Sequence, residues 1–150
     1  MINGSDFVDS EKNKKRTIND YFKHKKLSKI SIVRIAIRFD QAEKVKKISK
    51  ELKKLGYIVC INLMQSHGKK LSEFKSICTK IKLWKSVNVI YFADSFGNMS
   101  PQEVKLITKN LKKYWPDLIG FHAHNNKNLA LINSIEAVKN GVNWCDSTIQ

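Results

Sequence analysis

From residue 30 onward, short β-branched runs alternate with amphipathic stretches at a repeat of roughly 25–30 residues, and no other feature restricts the fold as much. Ser31 to Arg38 (Ser-Ile-Val-Arg-Ile-Ala-Ile-Arg) reads as a buried strand. Asp40 with Glu43 predicts a capping box. Ala42, Val45, Ile48, Leu52 and Leu55 then recur at helical spacing until Gly56. Tyr57 to Met64 is the next strand, and Leu71, Phe74, Ile77, Cys78 and Ile81 mark a second helix. Asn88 to Ala93 is a third strand. Ser100-Pro101-Gln102-Glu103 starts a third helix with a capping box and a proline at its first position, and Val104, Ile107, Leu111 and Tyr114 form the buried stripe. Leu118 to His122, a helix from about Asn128 to Lys139 closed by Asn140-Gly141, and Trp144 to Ile149 complete the series.

Such alternation implies βαβ units and a parallel α/β sheet. Two architectures satisfy it: a five-stranded doubly wound sheet, or a segment of a (β/α)8 barrel, which typically needs about 250 residues. The polar residues favour the barrel. Arg38 and Asp40 follow the first strand, and Asn62, Gln65, Ser66 and His67 end the second. Asp94 and Ser95 end the third, His122, His124, Asn125 and Asn126 end the fourth, and Asp146 lies in the fifth. Parallel sheets place their sites at the carboxyl edge. A barrel mouth draws residues from several successive strands, whereas a doubly wound sheet concentrates its ligand at one switch point. No glycine-rich nucleotide loop is present.

Residues 1–29 are polar and basic, and are expected to form a loosely ordered N-terminal segment with a short helix within 17–28, ahead of a domain spanning 30–150. No apolar run reaches the length of a membrane span and the N-terminus lacks the apolar core of a secretory signal, so a cytoplasmic protein is expected. Cys60, Cys78 and Cys145 lie in apolar runs without metal-ligand spacing, which predicts buried free thiols. Lys and Arg number 28 against 13 Asp and Glu, a net charge of +15. The lysines are spread over every helix and densest between Lys12 and Lys29, so they read as a solvated surface rather than a nucleic-acid site. A basic binding module is the alternative.

The residues with most chemical content are His122 and His124. Two apart on a strand, their side chains share a face and can converge on one cation, with a carboxylate from another strand as a third ligand. Either histidine could instead be structural. Asp94 could orient a ligand or cap its own loop through an Asx-turn, with Gly97 supplying the turn. Asn125 and Asn126 could cap the following helix or reach a substrate. Arg38 could bind a substrate carboxylate or pair with Asp40 or Glu43. His67, beside Gly68, reads as a solvated loop histidine.

Three segments together resemble the DRE-TIM metallolyases. They are Tyr91 to Val104 (Tyr-Phe-Ala-Asp-Ser-Phe-Gly-Asn-Met-Ser-Pro-Gln-Glu-Val), Ile119 to Asn126 (Ile-Gly-Phe-His-Ala-His-Asn-Asn), and Leu129 to Val138 with Gly141 and Asp146. That family includes 4-hydroxy-2-oxovalerate aldolase, hydroxymethylglutaryl-CoA lyase and the isopropylmalate and homocitrate synthases. Arg34-Ile-Ala-Ile37 and Gly56 to Met64 look most like the aldolase branch. The resemblance implies a TIM barrel in which His122 and His124 bind a divalent ion (manganese, magnesium or zinc), with Asp94 in support. It also implies a lyase that cleaves a 4-hydroxy-2-oxo acid to pyruvate and an aldehyde, or a synthase that condenses a 2-keto acid with an acyl-CoA.

The family's Asp-Arg-Glu-type motif, which supplies the third metal ligand and an enolate-stabilising arginine, does not occur among these 150 residues. The glycine-rich loop that follows the family's seventh strand is also missing. The matched part corresponds to roughly the third to seventh strands of eight. The expectation is therefore an incomplete (β/α)8 barrel of about five parallel strands with an incomplete catalytic set and no assignable catalytic residue. Such a fragment would be weak or inactive alone unless a separate chain supplies the missing strands.

Overall fold

The computed structural model describes residues 1–8 and 17–148. Six parallel strands form one sheet: β1 (Ile2–Asn3), β2 (Ile32–Arg38), β3 (Ile58–Met64), β4 (Val89–Asp94), β5 (Leu118–Ala123) and β6 (Trp144–Ser147). The helices between them are α1 (Ile18–Tyr21), α2 (Lys46–Lys54), α3 (Leu71–Trp84), α4 (Pro101–Tyr114) and α5 (Ala130–Lys139). The strands lie side by side in chain order from β1 to β6. A doubly wound sheet reverses its order at a switch point; this one never does, so the barrel-type arrangement is the correct one of the two expected.

Strand alternation separates two faces. Ile35, Ile37, Ile61, Leu63, Ile90, Phe92, Ile119 and Phe121 point toward the helices and are buried in the main core with Leu52, Phe74, Ile81, Ile107 and Leu111. The opposite face carries Arg34, Cys60, Asn62, Tyr91, His122 and Asp146, and its apolar members Cys60, Val89 and Tyr91 form a separate small cluster with Trp144. This second face is concave. Four inter-strand steps separate β2 from β6, roughly 19 Å in a flat sheet. Arg34 of β2 nonetheless makes an ion pair with Asp146 of β6, so the sheet curls into an arc.

Several local expectations are modified. A sixth strand, β1, pairs with β2 from within the segment read as loosely ordered. Ile18 of α1 is buried, and the Tyr57 hydroxyl donates to the Lys23 carbonyl at 2.7 Å, so residues 18–23 pack onto the sheet. Part of the basic stretch beginning at Lys12 lies outside the described residues. The Asp40–Glu43 capping box does not form: Phe39–Val45 is a 3-10 turn ahead of α2, Asp40 pairs with Arg38, and Glu43 pairs with Lys80. Only half of the expected Ser100–Glu103 box forms: Ser100 caps α4, accepting from the Glu103 N–H at 3.2 Å, while the Glu103 carboxylate accepts from the Gly68 N–H and pairs with His67 instead of returning to Ser100. Cys60 and Cys78 are buried free thiols, but Cys145 is exposed. It sits on β6, at the edge of the described sheet, where it lines an open groove with Leu131 and Ser134 of α5. Near it α5 exposes Leu131 and Val138, at 74% and 56%. Among the described residues no helix is long and apolar enough to cross a membrane.

Candidate metal and substrate site at the carboxyl edge

His122 and His124 extend from the end of β5, and their rings lie 5.1 Å apart between centroids, edge to face. The shared face expected from their spacing is therefore the observed one. The His122 side chain is 14% exposed. Its Nδ1 meets Asp146 Oδ1, because His122 and Asp146 are register partners on adjacent strands. The other carboxylate oxygen of Asp146 takes the Arg34 guanidinium, which also stacks 4.9 Å from the Tyr91 ring centroid. Gly120 makes room for that ring: a Cβ at this position would fall 2.4 Å from it. Arg34, Tyr91, Asp146 and His122 thus form one connected polar layer across the concave face. Asn62 lies in the strand between Arg34 and Tyr91, on the same face, and its buried Oδ1 has no hydrogen-bond partner.

The electrostatics follow from this layer. Burial alone would raise the Asp146 carboxyl. The hydrogen bond from His122 and the Arg34 guanidinium override burial and hold it below the ordinary carboxylate range. Burial, reinforced by the Asp146 charge, pushes the Tyr91 hydroxyl up to about 12. Burial also lowers His124, and the neighbouring His122 adds to the shift, against the opposing pull of Asp94. The shift biases the His124 imidazole toward its neutral form.

The other expected site residues are distributed differently. Asp94 is fully buried and caps its own loop: its carboxylate accepts from the Asn98 N–H at 2.8 Å and the Met99 N–H at 3.0 Å. It acts on the site by its field at His124. The Asn125 side chain accepts from the Ala130 N–H at 3.1 Å and so caps α5. Asn126 is exposed, and its backbone N–H abuts Gly97; a Cβ on Gly97, whose φ is +62°, would approach that nitrogen to 2.7 Å. Arg38 is exposed at the end of β2 and forks onto Asp40 at 2.9 and 3.2 Å. His67 is not simply solvated; it pairs with Glu103 at 2.8 Å.

The two imidazoles are of the residue type that ligates a divalent cation, and they stand close together at the strand end. The expected third ligand, a carboxylate from another strand, is not supplied: among the described residues no group of three His, Cys, Asp or Glu side chains is placed to hold a metal. Both Asp94 oxygens are committed to backbone N–H groups, and Asp146 is committed to His122 and Arg34. The partnership of Arg34 with Asp146 was not anticipated from sequence. Its available signal was a charged residue in the middle of an apolar strand, which needs a counter-charge when buried.

Comparison with known proteins fits this geometry. The fold is that of TIM-barrel domains: the carboxyl transferase domain of Rhizobium etli pyruvate carboxylase superposes with a TM-score of 0.72 at 16% identity, over 79% of this chain and 21% of that one. The N-terminal domain of a candidate aldolase from Bacteroides vulgatus superposes with a TM-score of 0.72 at 31% identity, covering 87% of this chain and 46% of that one. The chain belongs to the HMGL-like family, whose profile matches residues 16–150. It is 32% identical over 119 residues to 4-hydroxy-2-oxovalerate aldolase of Carboxydothermus hydrogenoformans, covering 78% of this chain and 34% of the relative. It is likewise 32% identical over 122 residues to that of Thermus thermophilus, covering 81% and 35%. The chain therefore spans about a third of the length of these curated relatives.

Proposed function

We propose that this chain carries the histidine half of a metal-dependent aldolase site that cleaves a 4-hydroxy-2-oxo acid to pyruvate and an aldehyde. The observation that carries the reading is the pair of imidazoles, 5.1 Å apart, at the carboxyl edge of a barrel-type sheet. The similarity to 4-hydroxy-2-oxovalerate aldolases supports the substrate class, a small 2-keto acid. His122 and His124 would hold the ion, manganese, magnesium or zinc. When bound, it would supply Lewis acidity to the 2-oxo group of the substrate. Asp94 keeps the loop behind His124 in place and favours positive charge there. Arg38 and Asn126, both exposed at the same edge, are the groups available to a substrate carboxylate or hydroxyl. Asn125 shapes the start of α5.

The remaining ligand, the enolate-stabilising arginine and the general base have no counterpart among the described residues. Turnover by this chain alone is expected to be weak or absent, with a separate chain carrying the first strands as the partner that would restore it. The test is metal retention. Purified chain should hold manganese or zinc, and the His122→Ala/His124→Ala variant should lose it while keeping its circular dichroism. Folded wild-type chain that holds no metal, but shows steep salt-dependent retention on nucleic acid, would replace this reading with that of a basic binding module.

A further inference from the structure

The contact between β5 and β6 does more than join two strands. His122 and Asp146 are direct register partners, and Asp146 Oδ1 lies against His122 Nδ1. An ionised carboxylate only accepts hydrogen bonds, so the hydrogen in this contact belongs to the ring nitrogen. Neutral His122 then carries its proton on Nδ1 and presents a bare lone pair on Nε2. Asp146 is itself fixed from the far side of the arc by Arg34, whose guanidinium rests on Tyr91. Three strands, β2, β4 and β6, thereby set the tautomer and orientation of one imidazole on a fourth.

We propose that Asp146 is the positioning residue of His122, holding it in the Nδ1–H tautomer so that Nε2 faces a divalent cation, with Arg34 holding Asp146 in turn. The consequence for cation affinity rests on the metal-site reading above; the tautomer does not. Carboxylate–imidazole pairing behind a metal ligand orients the ring and raises its basicity, and its loss commonly weakens binding roughly 10- to 100-fold. An asparagine in place of Asp146 can donate its amide N–H to Nδ1, which would move the ring proton to Nε2 and block the lone pair.

Long-range proton–nitrogen NMR spectra of the wild-type chain, without added metal, read the tautomer directly. A hydrogen on Nδ1 of His122 is expected, and a bare Nδ1 overturns the proposal. This measurement stands even if the variant fails to fold. Asp146→Asn should bind Mn2+ roughly 10- to 100-fold more weakly than wild type by titration. Its His122 should change tautomer, a signature that loss of packing alone would not produce. A folded Asp146→Asn chain with unchanged Mn2+ affinity and unchanged tautomer also overturns the proposal. Failure of the wild-type chain to bind Mn2+ at all overturns the metal-site reading instead, and leaves the tautomer spectra to decide the role of Asp146.

Discussion

Toward its helices the sheet of this protein presents aliphatic and aromatic residues, and Phe92 and Phe121 meet there at 4.8 Å with neither exposed. On the concave side the same strands carry an arginine, an asparagine, a tyrosine, a histidine and an aspartate. The first face is held by non-directional burial, in which many side chains share the work. The second adds directed contacts among Arg34, Asp146 and His122, which satisfy groups that would be costly to bury alone, to a small apolar cluster. Stability and site chemistry thus separate by face: the helix side holds the sheet, and the concave side brings Arg34 of β2 and Asp146 of β6 together.

The largest effect should come from breaking the apolar face. Phe92→Ala removes a fully buried ring from the main core and should cost about 3–5 kcal/mol in denaturant unfolding, enough to abolish folding of a marginal domain. A loss below 1 kcal/mol would mean that the two faces are not energetically distinct. A middle-sized effect should come from overfilling the concave face. Gly120→Ala drives a methyl group into the Tyr91 ring and should cost about 1–3 kcal/mol; adding Tyr91→Ala should recover part of it in a double-mutant cycle. Additive costs would show that the ring does not lie over β5. The smallest effect on stability should come from Arg34→Met. Its partner is more than a third exposed, so solvent screens the pair and the loss should stay within about 1 kcal/mol, measured by thermal melting at two ionic strengths. A loss several times larger would place the concave layer among the determinants of the fold.

The elements from residue 30 onward were legible because each announces itself locally. A capping serine and Pro101 open α4, β-branched runs mark β2 and β3, and Gly141, at φ +97°, terminates α5 where the pattern breaks. The Asp40 cap misled because Arg38, two residues away, offers its carboxylate a charged fork instead of a backbone N–H. The exposure of Cys145 was not readable: its apolar neighbours suggest burial, and only its place on the outer strand, beside an open groove under α5, leaves it exposed. His122 and His124 were legible as a pair because a strand repeats its facing every two residues. Asp94 was legible only as a choice between two roles, and its two backbone hydrogen bonds decide for the loop cap.

From residue 30 onward, local sequence alone gives away the alternation of strands and helices and the shared facing of two imidazoles, since periodicity and strand alternation act over a few residues. Tertiary structure alone decided that Arg34 and Asp146, 112 positions apart, share one ion pair behind His122. That contact depends on how far five strands curl, and curvature is a sum over the whole sheet that no local stretch encodes.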